Sequence, residues 1–520
     1  MDGAGEERGY DGAVAGVIDV DARTTDASSD QRTVPPDEPS TRIVVITLAI
    51  ITAIATILRA KYLNGPMRWD ETFSFVNYSS KPLARGLESY TPNNHLLNTV
   101  LVHLSYGVFG EHRWALRLPA FLAGVTLVPA TGWMIARFYG ARAGLIAAGV
   151  VAGSSFLTEF SANARGYSLV ALCAVLCAGI AAKILERPSV PGALAFGVAG
   201  GVGLATIPVM ILPLGGIAAW LGLSALARAR RDRWALLGAT ALGTLAALAA
   251  AIPIYFPAAF RHGAGSILDN KWIAPMSFAR WRAAMPHRLA ETWEFWTRDL
   301  TIVVSFLLLA GFAVAMIGHK GVTSRQRWMP PIPLPLAVVV WCAAFVLGRR
   351  VVPYSAVWLI LLPLFLGVGA AGLTWLAGRI RPRLPWREIA PVAAVAVAAA
   401  LALATVTSHG VERSRQTGKY AAAEPITLLL KPRLVRGDRL IALSAAQALL
   451  EYYFRIHHVP ARYLHASLSE RGTIYVAVDP ENGRTVNDFL PLIERNNIEV
   501  GPPRLVARYA DGELYAFSPR

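Results

Sequence analysis

From Arg42 onward the chain alternates long apolar runs with short polar breaks. The runs fall near residues 43–60, 117–136, 143–158, 167–182, 192–206, 208–227, 234–258, 300–318, 333–348, 352–376 and 388–407. Each approaches the ~20 residues with which a helix crosses a hydrocarbon core of ~30 Å. The stretch 192–227 is too long for one helix, and Pro208 divides it, because proline suits the first turn of a new helix. The pattern predicts a polytopic α-helical membrane protein of about 11–13 transmembrane helices over residues 42–408.

The two ends follow other periods. Residues 409–520 read as a soluble tail: DRLIAL as a strand, AAQALLEYYFRIHH as a helix, TIYVAV as a strand and VNDFLPLIERNN as a helix. RLVARYA and ELYAFS then form a hairpin about Asp511-Gly512. That order predicts a small α/β domain. Residues 1–41 are rich in Gly, Ser, Thr and Pro. Residues 1–40 carry ten acidic residues against three arginines, so this segment reads as a disordered acidic tail. It is no signal peptide, which would place positive charge before its apolar stretch.

Composition agrees with the membrane reading. Hydrophobic residues make up 54% and charged residues 16% of the 520, and the mean hydropathy is +0.43. An ordinary soluble domain is about 25% charged. The net charge of +16 does not form one patch, as nucleic-acid binding would need, but lies in short clusters between runs. Cys173, Cys177 and Cys342 all lie within apolar runs and offer neither a disulfide framework nor metal spacing.

The basic clusters predict orientation. Arg137 and Arg142, Lys183 and Arg187, Arg228 to Arg233, Lys320 to Arg327, and Arg379 to Arg387 supply 15 basic residues at every second junction. The short junctions between them carry five: Arg113, Arg117, Arg165, Arg349 and Arg350. The positive-inside rule then gives a cytoplasmic N-terminus, an extracytoplasmic C-terminal domain and a multi-pass protein of the cell membrane. Residues 94–109 cannot be a further span without reversing all that follows. They are expected as a helix lying along the outer face. Residues 61–116 and 259–299 become long outside loops. The Trp and Arg residues of the second fit the headgroup level.

Candidate chemistry gathers on that outer face. RWDETFSF puts Asp70 and Glu71 just beyond the first run, where adjacent carboxylates are costly unless paired or solvated. The plain reading is an interfacial cap; the functional one is a general base or cation site. Asn93, Asn94 and His95 follow in the same loop, Arg165 and Tyr167 come from SANARGYSL, and Arg349, Arg350 and Tyr354 lie at another outside junction. Carboxylate, amide, imidazole and guanidinium groups together suit transfer from a lipid-linked phosphate.

The ordered series RWDETFSF, TPNNHLLNTVLVHLSYGVFGEHRWALRLPAFLAG and SSFLTEFSANARGYSL resembles the GT-C superfamily of integral-membrane glycosyltransferases. It is most like the branch of protein O-mannosyltransferases and lipid A aminoarabinose transferases. The likeness covers roughly residues 42–185, is weaker at RRVVPYSAVWLILLPLFLG, and extends in architecture to the C-terminal domain. The resemblance implies a polyprenyl-phosphate sugar as donor and a glycan, lipid or protein as acceptor, and a single displacement assisted by a carboxylate base would invert the sugar carbon. It makes Asp70 the catalytic base with Glu71 in support. Arg165, Arg349 and Arg350 become donor-phosphate partners, and Asn93, Asn94, His95, Tyr167 and Tyr354 substrate contacts. Relatives often carry His-Pro-Pro or Glu-Lys-Pro where this chain has Asn93-Asn94-His95. The acidic residue that is a metal ligand in some of them falls near Asn93, which leaves a divalent metal open as a cofactor. Two other readings stand beside this one: a transporter or flippase of a lipid-linked or anionic substrate, and a non-catalytic assembly protein. The first would more often place ionisable residues near the midplane of its spans. The second does not account for Asp70 with Arg165.

Overall fold

The computed structural model describes residues 38–263, 265–268, 274–319, 330–443, 445–465, 472–496 and 498–518. The acidic tail, apart from its last residues, and the Lys320–Arg327 cluster lie outside them. The described residues form one compact unit.

All eleven predicted runs are helical. Among the described residues seven helices are long and apolar enough to cross a membrane, and a bent pair makes an eighth. Three further runs appear as shorter apolar helices, Val190–Thr206, Ile302–Ile317 and Leu334–Arg349. The first span, α1 (Thr41–Ala60), starts where the Ser40 hydroxyl caps the Ile43 N–H. After it come α2 (Trp69–Ser74), α3 (Leu83–Leu87) and α4 (Leu96–Phe109), all within the first long loop. The second span, α5 (Arg113–Tyr139), begins four residues before its apolar run. The bent pair is α6 (Ala141–Gly153) and α7 (Ser155–Ser161), which meet at 64°. Ser154 makes the break: its backbone is extended, ψ 120°, and its hydroxyl caps the Leu157 N–H. Next is α8 (Tyr167–Glu186). The division at Pro208 holds, as a 3-10 turn over Pro208–Met210 that opens the helix Ile211–Leu226.

Small residues set the helix spacing. A Cβ on Gly149 would lie 2.4 Å from the Ala394 carbonyl oxygen, and one on Gly153 2.3 Å from the Leu401 Cβ. The helix Trp386–Thr407 can therefore lie flush against α6, where lipid supplies no hydrophobic drive and close packing must do the work.

The C-terminal region forms a four-stranded sheet in the order β1 (Arg439–Ala442), β2 (Ile474–Val478), β4 (Glu513–Phe517), β3 (Arg504–Arg508). The helix Ala445–Ile456 follows β1, and β1 pairs with β2 in parallel, Arg439 opposite Ile474. β4 runs antiparallel to β2 and closes a hairpin with β3 across Asp511-Gly512, with a bulge between Leu505 and Ala507. One face of this region shares a hydrophobic core with the first long loop. Met67, Phe75 and Leu116 pack in the same cluster as Tyr420, Ile426, Leu449 and Tyr453.

Candidate active site

Asp70 and Glu71 are neighbours on α2 with opposite surroundings, because one residue of helix turns a side chain by about 100°. Glu71 is fully buried and points at Arg117, which is 2% exposed. Arg117 grips it with two nitrogens: Nε donates to Oε2 at 3.0 Å, and Nη2 to Oε1. Oε1 also accepts the Arg68 N–H (2.8 Å) and Oε2 the Ala164 N–H (2.9 Å). Arg117 further donates to the carbonyls of Tyr62, Leu63, Gly65 and Pro66. Both ions are saturated, which is what makes their burial tolerable. The pair joins the first loop, α5 and the turn before α8.

The Asp70 carboxylate, half-buried, makes no hydrogen bond or ion pair with any described residue. Burial is the largest influence on it and pushes its pKa up to about 6; the Arg165 guanidinium pulls the other way, and the charges of Glu71 and Glu159 add to the rise.

Arg165 is 2% exposed and bears no carboxylate partner among the described residues. Its acceptors are neutral. Nη1 donates to the Ser74 hydroxyl and to the Asn93 carbonyl, both at 2.6 Å, and Nη2 to Asn93 Oδ1 at 3.2 Å. Its Nε is buried without a partner. The positive charge is thus fixed in place and uncompensated by direct contact. His95 lies beneath it, with Nε2 3.1 Å from Nη2. The Gly166 N–H faces His95 Nδ1 (3.0 Å) as Arg165 faces Nε2, so both ring nitrogens look onto donors and the protonated imidazolium is disfavoured. Burial first, and the Arg165 charge second, hold this imidazole neutral by lowering its pKa well below the usual range. Tyr167 stands edge-on to His95 at 5.0 Å, with Arg165 over its ring.

Asp70, Asn93, His95, Arg165 and Tyr167 are therefore brought together. Asn94, expected to touch substrate, is fully buried instead. Its amide donates to the Gly86 and Ser89 carbonyls (2.8 Å each), and its oxygen accepts from Thr99, so it serves the scaffold of the loop. Arg349 and Arg350 do not join the cluster by any hydrogen bond or ion pair. They are exposed at the end of Leu334–Arg349, Arg350 in a left-handed conformation with φ 51°. Tyr354, 43% exposed, packs under Arg288.

Residues 96–255 match the family model described as dolichyl-phosphate-mannose-protein mannosyltransferase. ArnT from Cupriavidus metallidurans in the apo state has a similar fold, with a TM-score of 0.58 at 14% identity, covering 91% of this chain and 97% of that one. ArnT from the same organism bound to undecaprenyl phosphate gives 0.52 at 15% identity, covering 92% and 98%. The Archaeoglobus fulgidus oligosaccharyltransferase in complex with Zn and sulfate gives 0.51 at 12%, covering 90% and 73%. The chain shares the fold of these solved membrane proteins. No curated protein matches its sequence.

Several neighbours of this cluster were hidden in the sequence. Arg117 counted only as a junction cation, although an arginine within an apolar run is itself a signal of a buried partner. Glu159, a lone carboxylate in SSFLTEFS, is 3% exposed and pairs with Arg298 at 2.7 Å, leaving Oε1 unpartnered. Ser74 bridges Arg165 to the Asp70 carbonyl. The donor set does not suit a divalent cation. Both Glu71 oxygens are occupied, Glu159 is paired with Arg298, Asp70 is the one carboxylate of the cluster with no partner among the described residues, and Arg165 already supplies the positive charge. Among the described residues no three His, Cys, Asp or Glu side chains gather to hold a metal.

Proposed function

We propose that this protein is a GT-C glycosyltransferase that transfers a sugar from a polyprenyl-phosphate-linked donor to a hydroxyl or amine acceptor on the extracytoplasmic face, with inversion and with Asp70 as general base. One observation carries the reading: of two adjacent carboxylates, one is locked by an arginine and the other has no partner among the described residues, with its pKa raised to about 6. A base at that value is ionised at neutral pH yet more basic than an ordinary carboxylate. In the step, the acceptor oxygen or nitrogen forms a bond to the anomeric carbon as Asp70 takes its proton. The carbon–phosphate oxygen bond breaks on the opposite side, and the lipid phosphate leaves with the electron pair.

Charge grows on that phosphate as the sugar departs. Arg165, held by neutral acceptors alone, can stabilise it through its field. Its Nη groups already have acceptors, so a long-range electrostatic role suits it better than a fork around the phosphate. Arg349 and Arg350, exposed and without an ion-pair partner among the described residues, supply a second cationic group for the donor headgroup. The neutral His95 leaves Arg165 as the cation of the cluster. The structure of ArnT bound to undecaprenyl phosphate supports the donor class.

The test is sugar transfer from purified polyprenyl-phosphate donors to an acceptor extract by wild type, Asp70→Asn and Glu71→Gln. Asp70→Asn should lose about 10²–10⁴-fold in turnover with donor binding retained. Wild-type turnover in that variant rejects the base. Movement of intact donor across vesicles, without cleavage, would favour the transporter instead.

A further inference from the structure

We infer that residues 411–418, which enter the C-terminal region from the last apolar helix, form a strap that positions the backbone of Asp70, and that Gly418 makes its close approach possible. The inference rests on Asp70 as the base.

α2 runs on into a π-helical turn over Phe75–Ser79, and these eleven residues are still too few to hold a helix by themselves, because nucleation costs more than so few hydrogen bonds return. The first N–H groups of any helix also lack intrahelical acceptors. Here they find them on the strap. The Trp69 N–H donates to the Gly418 carbonyl at 2.8 Å and the Asp70 N–H to the Thr417 carbonyl at 3.2 Å. The two preceding residues are tied to the same region. The Arg68 guanidinium donates to the carbonyls of Val411 (2.7 Å) and Ser414, and the Met67 N–H to the Tyr453 hydroxyl (3.1 Å). Four consecutive residues, 67–70, are thus held from the C-terminal side.

The strap is itself anchored to the sheet. The Tyr420 hydroxyl donates to the Val478 carbonyl at the end of β2 (3.1 Å). Asp511, in the β3–β4 turn and 4% exposed, accepts the N–H groups of Ala421 (2.6 Å) and Ala422 (2.9 Å). A continuous path of hydrogen bonds leads from the sheet through residues 417–422 to Asp70. Gly418 is the tightest point. Its φ is +75°, and a Cβ there would lie 2.7 Å from the Trp69 Cβ, an atom that no rotamer change can move aside. The strap thereby assigns a task to the C-terminal region: it sets where the catalytic carboxylate stands.

The full-length protein would be compared with Gly418→Ala and with Gly483→Ala as control. Gly483 has a similar φ of +71° but nothing within 4 Å of its would-be Cβ, so it carries the same backbone penalty without the contact. Two readouts are taken: amide hydrogen exchange over residues 67–73, and steady-state transfer. Gly418→Ala should speed exchange at Trp69 and Asp70 and lower kcat by about tenfold or more, since misplacing a reacting group by 1 Å can cost ~10²-fold. KM for the donor should stay within about twofold, and Gly483→Ala should behave as wild type. Wild-type kcat in Gly418→Ala overturns the inference, whether or not exchange rises. If Gly418→Ala does not fold, Asp511→Asn, which weakens the anchor from outside the site, must show the same split, and its absence overturns the inference equally. The underlying function fails differently: Asp70→Asn would then transfer at the wild-type rate, while the exchange result would still report the tie.

Discussion

Asp70→Asn probes rate and stability through the same pKa. With that pKa near 6, about nine-tenths of the side chain is ionised at pH 7 and about a tenth at pH 5. A general base works only when ionised, so kcat/KM of the wild type should fall about tenfold between these values. A carboxylate at its ordinary value near 3.8 would lose less than about a tenth of its activity over that range. His95, held neutral by burial, and the donor phosphodiester do not titrate within the window. The stability sign is opposite. The unfolded chain releases the Asp70 proton near 3.8 and the folded chain near 6, so the folded state favours the protonated form. This contribution is fully present below about pH 4 and is lost as pH rises through 6. At 1.36 kcal/mol per pH unit, ionisation at pH 7 costs the fold up to about 3 kcal/mol. Asp70→Asn should therefore be nearly inactive and more thermostable at pH 7 in detergent, and the advantage should vanish towards pH 4. A variant that is inactive but no more stable than wild type at pH 7 would refute the burial of this charge. A flat wild-type profile from pH 7 to 5 would refute the base.

Other outcomes follow from the surrounding groups. Arg117→Ala leaves Glu71 buried and unpaired, and should destabilise the protein by about 3–5 kcal/mol, read as loss of the monodisperse peak on mild heating. Glu71→Gln should weaken the fold by a smaller amount and lower turnover less than Asp70→Asn does, in the same transfer assay. Arg165→Lys keeps the charge but cannot reach Ser74, the Asn93 carbonyl and Asn93 Oδ1 together, so turnover should fall while the protein still folds; unchanged turnover and donor affinity would return Arg165 to a structural role. A cysteine introduced at Pro480 should react with an impermeant label from outside intact cells, and labelling from the cytoplasmic side alone would reverse the orientation.

The membrane-embedded part was legible in the sequence because lipid imposes a local rule: every backbone polar group must be satisfied within its own helix, so spans appear as unbroken apolar runs. All eleven runs are helical, and the division at Pro208 lies at the residue where the 3-10 turn begins. The C-terminal order of strand, helix, strand and hairpin was legible for a similar reason, since side-chain periodicity is a property of neighbouring residues. The short elements of the first loop were not, because their stability comes from residues far along the chain. α2 is held by Arg117 from 46 positions away and by the strap from nearly 350.

Asp70 was legible as a candidate from its place beside a span and from the motif series around it. Which of the two carboxylates an arginine neutralises was decided by tertiary structure alone. Both are acidic and adjacent, and only the rotation of α2 against α5 delivers one to an arginine and leaves the other open. The same holds for the cations. Arg165, Arg349 and Arg350 look alike at their junctions, yet one is buried on neutral acceptors while the others stand exposed. Sequence can say that a charge lies near a membrane boundary; which charge is neutralised, and so which pKa moves, depends on partners that only the folded chain brings within hydrogen-bonding distance.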